Sequence, residues 1–189
     1  MTRTSTPFVP RGSIAYFAYG SNMLTERLRR RTPSCRPLAV ARLSGYSLRF
    51  HKKSIDGSAK CNAFHTRKAS DVIVGVLYEI CRTERAALDE AEFLGSGYDR
   101  REVVVGSLDS SHYVLAETYI ALDNAIDESI LPYDWYKTLV SSGAREHGIA
   151  EEYVTNITNH PEVVDPDSVR RETHFQLTDN LPFRTKPLS

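Results

Sequence analysis

The chain has 189 residues, 41% hydrophobic and 25% charged, with a formal net charge of zero. These values fit one domain with room for a core and give no global field to gather nucleic acid or an acidic membrane surface, so a small molecule is the expected partner. No apolar run approaches the roughly 20 residues that span a bilayer, Met1–Pro7 lacks the apolar centre of a secretion signal, and Cys35, Cys61 and Cys81 stand far apart. The expectation is a cytoplasmic protein without disulfides, and no metal is expected from six scattered histidines.

Residues 1–12 are polar, carry Pro7 and Pro10, and predict a loose N-terminal arm. Ile14–Tyr19 is apolar and aromatic, as a buried strand is. It runs into Gly20-Ser21-Asn22. Gly20 permits a sharp turn and a close approach to the main chain. Ser21 and Asn22 are N-cap residue types for a helix over Met23–Arg29 with Leu24 and Leu28 on one face. Such a corner leaves N–H groups pointing outward, a receptor for a carboxylate, a phosphate or a developing oxyanion. The same residues also read as a plain structural turn. Arg29-Arg30-Arg31 suits a helix C-terminus and reads as a solvated face, with phosphate binding as the other reading.

Leu38–Ala41 and Tyr46–Phe50 predict two strands joined at Ser44-Gly45. Lys52–Ser58 predicts a surface loop, and Cys61–His65 a short strand. Val72–Ile80 is the strongest strand signal, with Gly75 marking a bulge or a close approach. A helix follows, with Thr83 as N-cap and Ala87, Leu88 and Ala91 as its apolar arc. At about 100° per residue, Glu92 stands about 40° from Leu88, while Glu90 points the opposite way. Burial and the helix C-terminus would both raise the pKa of Glu92, which suits proton transfer near neutral pH. A half-exposed glutamate at a frayed helix end is the other reading.

Tyr98 and Arg100-Arg101 lead into a strand at Glu102–Val105, which pairs with Tyr113–Ala121 across a turn at 107–112. Asp134–Val140 opens a helix that buries Trp135 and Leu139 and runs towards Gly148. Glu151–Asn159 predicts a last short helix before Pro161. The pattern of strands split by single helices is α+β, a small curved or barrel-like mixed β-sheet flanked by a few helices. The expected division is an arm over 1–12, a domain over 13–160, and a C-terminal extension over 161–189, either disordered or an arm lying across the domain or a neighbour.

Phe17–Arg27 resembles the N-terminal signature of the γ-glutamylcyclotransferase family. Three more segments match in order: Leu38–Leu43, Leu88–Glu92 with Ser96-Gly97, and Tyr136-Lys137 with Gly143–Gly148. The resemblance covers roughly residues 14–155. It implies a substrate loop containing Tyr16, Phe17, Ala18, Tyr19, Gly20, Ser21 and Asn22, with the catalytic glutamate at Glu92. It implies a substrate-closing tyrosine at Tyr136, and Tyr98 suits a pocket wall. Phe93 departs from the pattern, since many members place glycine there.

The resemblance implies a cofactor-independent, 5-oxoproline-forming lyase or acyltransferase. The α-amine of a γ-glutamyl group attacks its own γ-carbonyl and releases an amine, with Glu92 as general acid and base. Family substrates include γ-glutamyl amino acids, γ-glutamyl amines linked to lysine, glutathione and γ-glutamyl-protected antibiotic precursors. The partner is then a small γ-glutamyl compound, and the protein a monomer or homodimer. The alternative is a non-catalytic module that binds a small anionic metabolite in the same pocket. Phosphate or nucleic-acid binding through Gly20-Ser21-Asn22 and Arg29-Arg30-Arg31 is a third reading, opposed by the neutral net charge.

Overall fold

The apolar run at the start forms β1 (Ser13–Ala18), buried from Ile14 onward. In this computed structural model, which describes residues 9–108, 112–179 and 181, β1 belongs to a closed five-stranded barrel. The other staves are β2 (Arg36–Ser44), β5 (Val72–Cys81), β6 (Tyr98–Ser107) and β7 (Tyr113–Ala121), in the order β1-β5-β2-β6-β7. Antiparallel pairs run from Ile14↔Ile80 to Ala18↔Val76 and from Tyr98↔Ala121 to Gly106↔Tyr113. Closure comes from a parallel pairing of β1 with β7 at Tyr16↔Glu117. The expected α+β architecture with a barrel-like mixed sheet is what the chain adopts.

β3 (Tyr46–Lys53) and β4 (Ala59–His65) form a separate two-stranded sheet. Asn62 ties it to the barrel by accepting from the N–H of Ala121 at 2.9 Å. Lys52 and Lys53 therefore belong to a strand rather than to the expected loop, which shortens to 54–58. Gly75 is a close approach and not a bulge. A Cβ there would lie 2.3 Å from the Ala18 carbonyl oxygen and 2.8 Å from the Phe17 ring.

The first helix is shorter than expected. A 3₁₀ turn (Ser21–Met23) precedes α1 (Thr25–Arg29), and neither carries a side-chain cap. Leu24 and Leu28 are both fully buried. α2 (Arg85–Ala91) follows a 3₁₀ turn that contains Thr83, so Thr83 caps nothing, and Ala87 is exposed while Leu88 anchors the helix.

α3 (Asp134–Glu146) lies against the Ser21–Met23 turn, and Gly143 permits the contact. A Cβ at Gly143 would sit 2.3 Å from the Leu24 nitrogen and 2.6 Å from the Met23 carbonyl carbon. α4 (Glu151–Thr158) and α5 (Ser168–Phe175) pack on α3. Asp165 fixes the approach to α5: it accepts from Trp135 Nε1 at 2.7 Å and from Arg170 at 2.5 and 2.6 Å. The His174 ring stacks on Trp135 at 3.8 Å. Residues 1–8 of the expected arm and 182–189 of the expected extension lie outside the described residues. Among the described residues no helix is long and apolar enough to cross a membrane.

Candidate active site

The corner after β1 is held from behind. Tyr78 donates its hydroxyl to the Met23 carbonyl at 2.7 Å, and the Thr25 N–H donates to Glu146 at 2.8 Å. Gly20 has φ −114°, so its freedom is not used for a left-handed turn. It is needed for proximity: a Cβ would meet the Cys61 Cβ at 3.1 Å and the Tyr136 hydroxyl at 3.3 Å. The N–H groups of Gly20, Ser21 and Asn22 donate to no described residue, while the N–H groups of Met23 and Leu24 close the turn on the carbonyls of Gly20 and Ser21. These free donors, at the rim of a turn fixed on its far side, suit binding of an anion.

Beside the corner is a small cavity open to solvent, with about 300 Å³ of empty space including its mouth, lined by Tyr16, Tyr19, Gly20, Ser21, Asn22 and Glu92 together with Cys61, Tyr98, Tyr119 and Tyr136. Eight of the expected site residues therefore meet at one place. Phe17 and Ala18 lie in β1, fully buried, and do not line it. Cys61 and Tyr119 join the lining from β4 and β7. Nothing local in the sequence marks them: Cys61 arrives with the β3–β4 hairpin, which Asn62 ties to β7, and Tyr119 through the pairing of β7 with distant β1.

Glu92 caps the C-terminal end of α2, and its side chain is 15% exposed. Its Oε1 accepts from Asn22 Nδ2 at 2.9 Å and from Arg31 Nη1 at 2.5 Å. Asn22 bridges the site: it also donates to the Tyr16 hydroxyl and accepts from Arg31, both at 2.9 Å. Asn22 thus serves the carboxylate rather than capping a helix. Oε2 of Glu92 makes no hydrogen bond to any described residue and is free for a ligand. Arg31, read in the sequence as part of a solvated run, turns inward, whereas its neighbour Arg30 pairs with exposed Glu26.

Burial pushes the phenols of Tyr16, Tyr19, Tyr98, Tyr119 and Tyr136 up, so each is a neutral hydroxyl. Tyr98 donates to the Cys61 carbonyl at 2.6 Å, and Tyr136 accepts from the Cys61 N–H at 3.0 Å. Burial also pushes the Cys61 thiol up to about 12, so it is no nucleophile at neutral pH. The cavity offers one carboxylate, three unused amides and a wall of neutral rings. Among the described residues no three His, Cys, Asp or Glu side chains are grouped to hold a metal ion.

A family model described as γ-glutamyl cyclotransferase, AIG2-like, matches residues 16–137, from β1 into α3. The human γ-glutamylcyclotransferase is 33% identical over 171 residues, covering 88% of this chain and 87% of its own length. The mouse γ-glutamylcyclotransferase is 29% identical over 178 residues, covering 92% and 90%. A solved γ-glutamyl cyclotransferase superposes with a TM-score of 0.76 at 28% identity, over 87% of this chain and 98% of that one. A glutathione-specific γ-glutamyl cyclotransferase from yeast, 13% identical, shares the fold with a TM-score of 0.60 over 78% and 94%. The matched span contains the Gly20 corner, Arg31 and Glu92, and by sequence and fold alike the chain belongs to the γ-glutamyl cyclotransferase, AIG2-like family.

Proposed function

We propose that this protein is a γ-glutamylcyclotransferase that converts a γ-glutamyl compound into 5-oxoproline and a free amine, without a cofactor. The observation that carries the reading is the meeting of the Glu92 carboxylate with the free amides of Gly20, Ser21 and Asn22 in one cavity.

Nucleophile and electrophile belong to one molecule, so the pocket's first task is to hold the folded substrate conformer. Well-oriented intramolecular reactions reach effective molarities of about 10⁵–10⁸ M. The rings of Tyr16, Tyr19, Tyr98, Tyr119 and Tyr136 supply the shape and exclude water. Oε2 of Glu92 takes a proton from the substrate's α-ammonium, and the freed amine attacks the γ-carbonyl. The N–H groups of the corner bind the substrate carboxylate and the tetrahedral oxyanion. The intermediate then collapses: Glu92 gives its proton to the leaving nitrogen, the C–N bond to the leaving amine breaks as the oxyanion re-forms the carbonyl, and the ring nitrogen passes its second proton, by way of the Glu92 carboxylate, to the released amine, which departs as an ammonium. Arg31 and Asn22 hold Oε1 throughout, which fixes the direction of Oε2.

Glu92→Gln keeps the shape and removes the base. General acid–base work contributes about 10²–10⁴-fold, so kcat for 5-oxoproline release should fall by that factor while substrate binding persists. Wild-type rates in the variant would refute the role of Glu92. Tight binding of γ-glutamyl compounds with no product from the wild-type protein would mean a binding module instead.

A further inference from the structure

Beyond the reaction pocket lies a second, larger chamber of about 610 Å³ of empty space, which shares Ser21, Glu92, Tyr98 and Tyr136 with it. Its charged lining is Arg27, Arg31, Lys52, Lys60, Asp56 and Glu92. Two of these cations are already matched: Arg31 pairs with Glu92 at 2.5 Å and Lys60 with Asp56 at 2.7 Å. Arg27 and Lys52 are not. Neither side chain makes an ion pair or hydrogen bond with any described residue, though Glu92 attracts both and Asp56 attracts Lys52 at longer range, and Arg27 Nε is enclosed with no partner among the described residues. Lys52 is 5% exposed, with its ammonium 4.8 Å from the centre of the Tyr98 ring. Gly97 makes room for it, because a Cβ there would lie 2.8 Å from Lys52 Nζ.

An enclosed cation without a counter-ion is unfavourable. Burial lowers the pKa of Arg27 to about 10 and also lowers that of Lys52, yet Arg27 stays protonated at neutral pH. The remaining polar ring in the lining, His174, is pushed by burial to about 4 and adds no charge. The chamber is therefore short of two negative charges, next to the carboxylate that protonates the leaving nitrogen.

We propose that this chamber holds the leaving group, and that the preferred leaving group is an acidic amino acid whose two carboxylates are received by Arg27 and Lys52. This rests on the cyclotransferase reading above and names the substrate class within it. A neutral or cationic leaving amine would leave the buried Lys52 and the half-buried Arg27 without a paired anion.

The test compares γ-glutamyl-glutamate with γ-glutamyl-glutamine, which differ in the leaving group by one charge at nearly constant shape. A hydrogen bond to a charged partner should give the glutamate compound at least about tenfold higher kcat/KM at low salt. Arg27→Met and Lys52→Met, each confirmed as folded by thermal melting, should shrink that ratio towards one. Equal kcat/KM for the two wild-type substrates, or a preference for glutamine, overturns the proposal while leaving the cyclotransferase reading intact. So does an undiminished ratio in both folded variants. If a variant does not fold, the wild-type comparison decides alone. Absence of 5-oxoproline from every γ-glutamyl donor, alanine and glutamine compounds included, overturns both.

Discussion

Arg31 Nη1 sits 2.5 Å from Glu92 Oε1, and Asn22 is hydrogen-bonded to both side chains. The guanidinium comes from the turn after α1 and the carboxylate from the end of α2, so this contact joins two segments 61 positions apart. It leaves one carboxylate oxygen engaged and the other available.

Arg31→Met should therefore damage both stability and rate. The pair is mostly enclosed, with 22% and 15% side-chain exposure, and removing one partner from such a pair costs on the order of 2 kcal/mol. The carboxylate also loses its fixed direction, and kcat should fall by about tenfold or more. Arg31→Lys restores the charge without the planar fork, so it should recover stability better than kcat. Steady-state kinetics and thermal melts of both variants check this, and a Lys variant with full kcat would contradict it.

Gly143→Ala sets two effects against each other. Alanine favours a helix interior by about 1 kcal/mol over glycine. The added Cβ, however, would meet the backbone of Leu24 at 2.3 Å and of Met23 at 2.6 Å, atoms that cannot rotate away. Overpacking against backbone costs about 1–3 kcal/mol or more, so the clash wins and the melting temperature should drop. Because α3 bears on the Gly20 corner here, to which substrate binding is assigned above, KM should rise as well.

Phe93, directly after Glu92, adopts φ +52°. A side chain in the left-handed region costs about 1–2 kcal/mol, and glycine escapes this at an entropic cost of about 0.4–1 kcal/mol in the unfolded chain. Phe93→Ala keeps the strain and Phe93→Gly removes it. The glycine variant should be the more stable of the two by up to about 1 kcal/mol in denaturant titrations. An alanine variant at least as stable would remove the case for strain.

Acid should loosen the docking of α5 in two steps. Burial against Trp135 lowers His174 from 6.5 to about 4, so the unfolded chain binds the proton more readily. Stability from this group is complete above pH 6.5 and is lost as pH falls towards 4. Asp165, held down to about 2 by the Arg170 guanidinium against an ordinary 3.8, contributes above pH 4 and loses its share as pH falls through 2. Arg170 is partly exposed, so after allowance for solvent screening the second step is on the order of 1 kcal/mol. The single tryptophan, Trp135, touches both groups, and its fluorescence during acid titration follows them. His174→Phe should abolish the first step.

How far the sequence reveals this protein depends on the range over which each signal acts. β1, the Gly20 corner and the position of Glu92 on α2 rest on patterns within a few residues, and all three stand where those patterns put them. Arg31 does not follow its pattern. A run of three arginines is normally solvated, and it is Asn22 together with Glu92, the latter arriving from a distant helix, that draws one inward. Lys52 and Lys53 look like the start of a polar loop, yet they extend β3 because Lys60 and Ala59 across the hairpin continue the ladder. Tyr119 becomes a cavity wall through the pairing of β7 with distant β1, and Cys61 through the docking of its hairpin on β7, and no local window contains either contact. Ser21 and Asn22 have cap chemistry, but the short 3₁₀ turn frees Asn22 to bind the carboxylate.

Tyr16 does two jobs. It lines the cavity, and it is also the β1 residue that meets Glu117 where the cylinder joins its first and last staves. The seam and the cavity therefore cannot be disturbed separately. Any fluctuation that parts β1 from β7 also dismantles the pocket, so amide protons along the seam and substrate occupancy should be linked: a bound γ-glutamyl ligand would slow their exchange by as much as it stabilises the closed barrel.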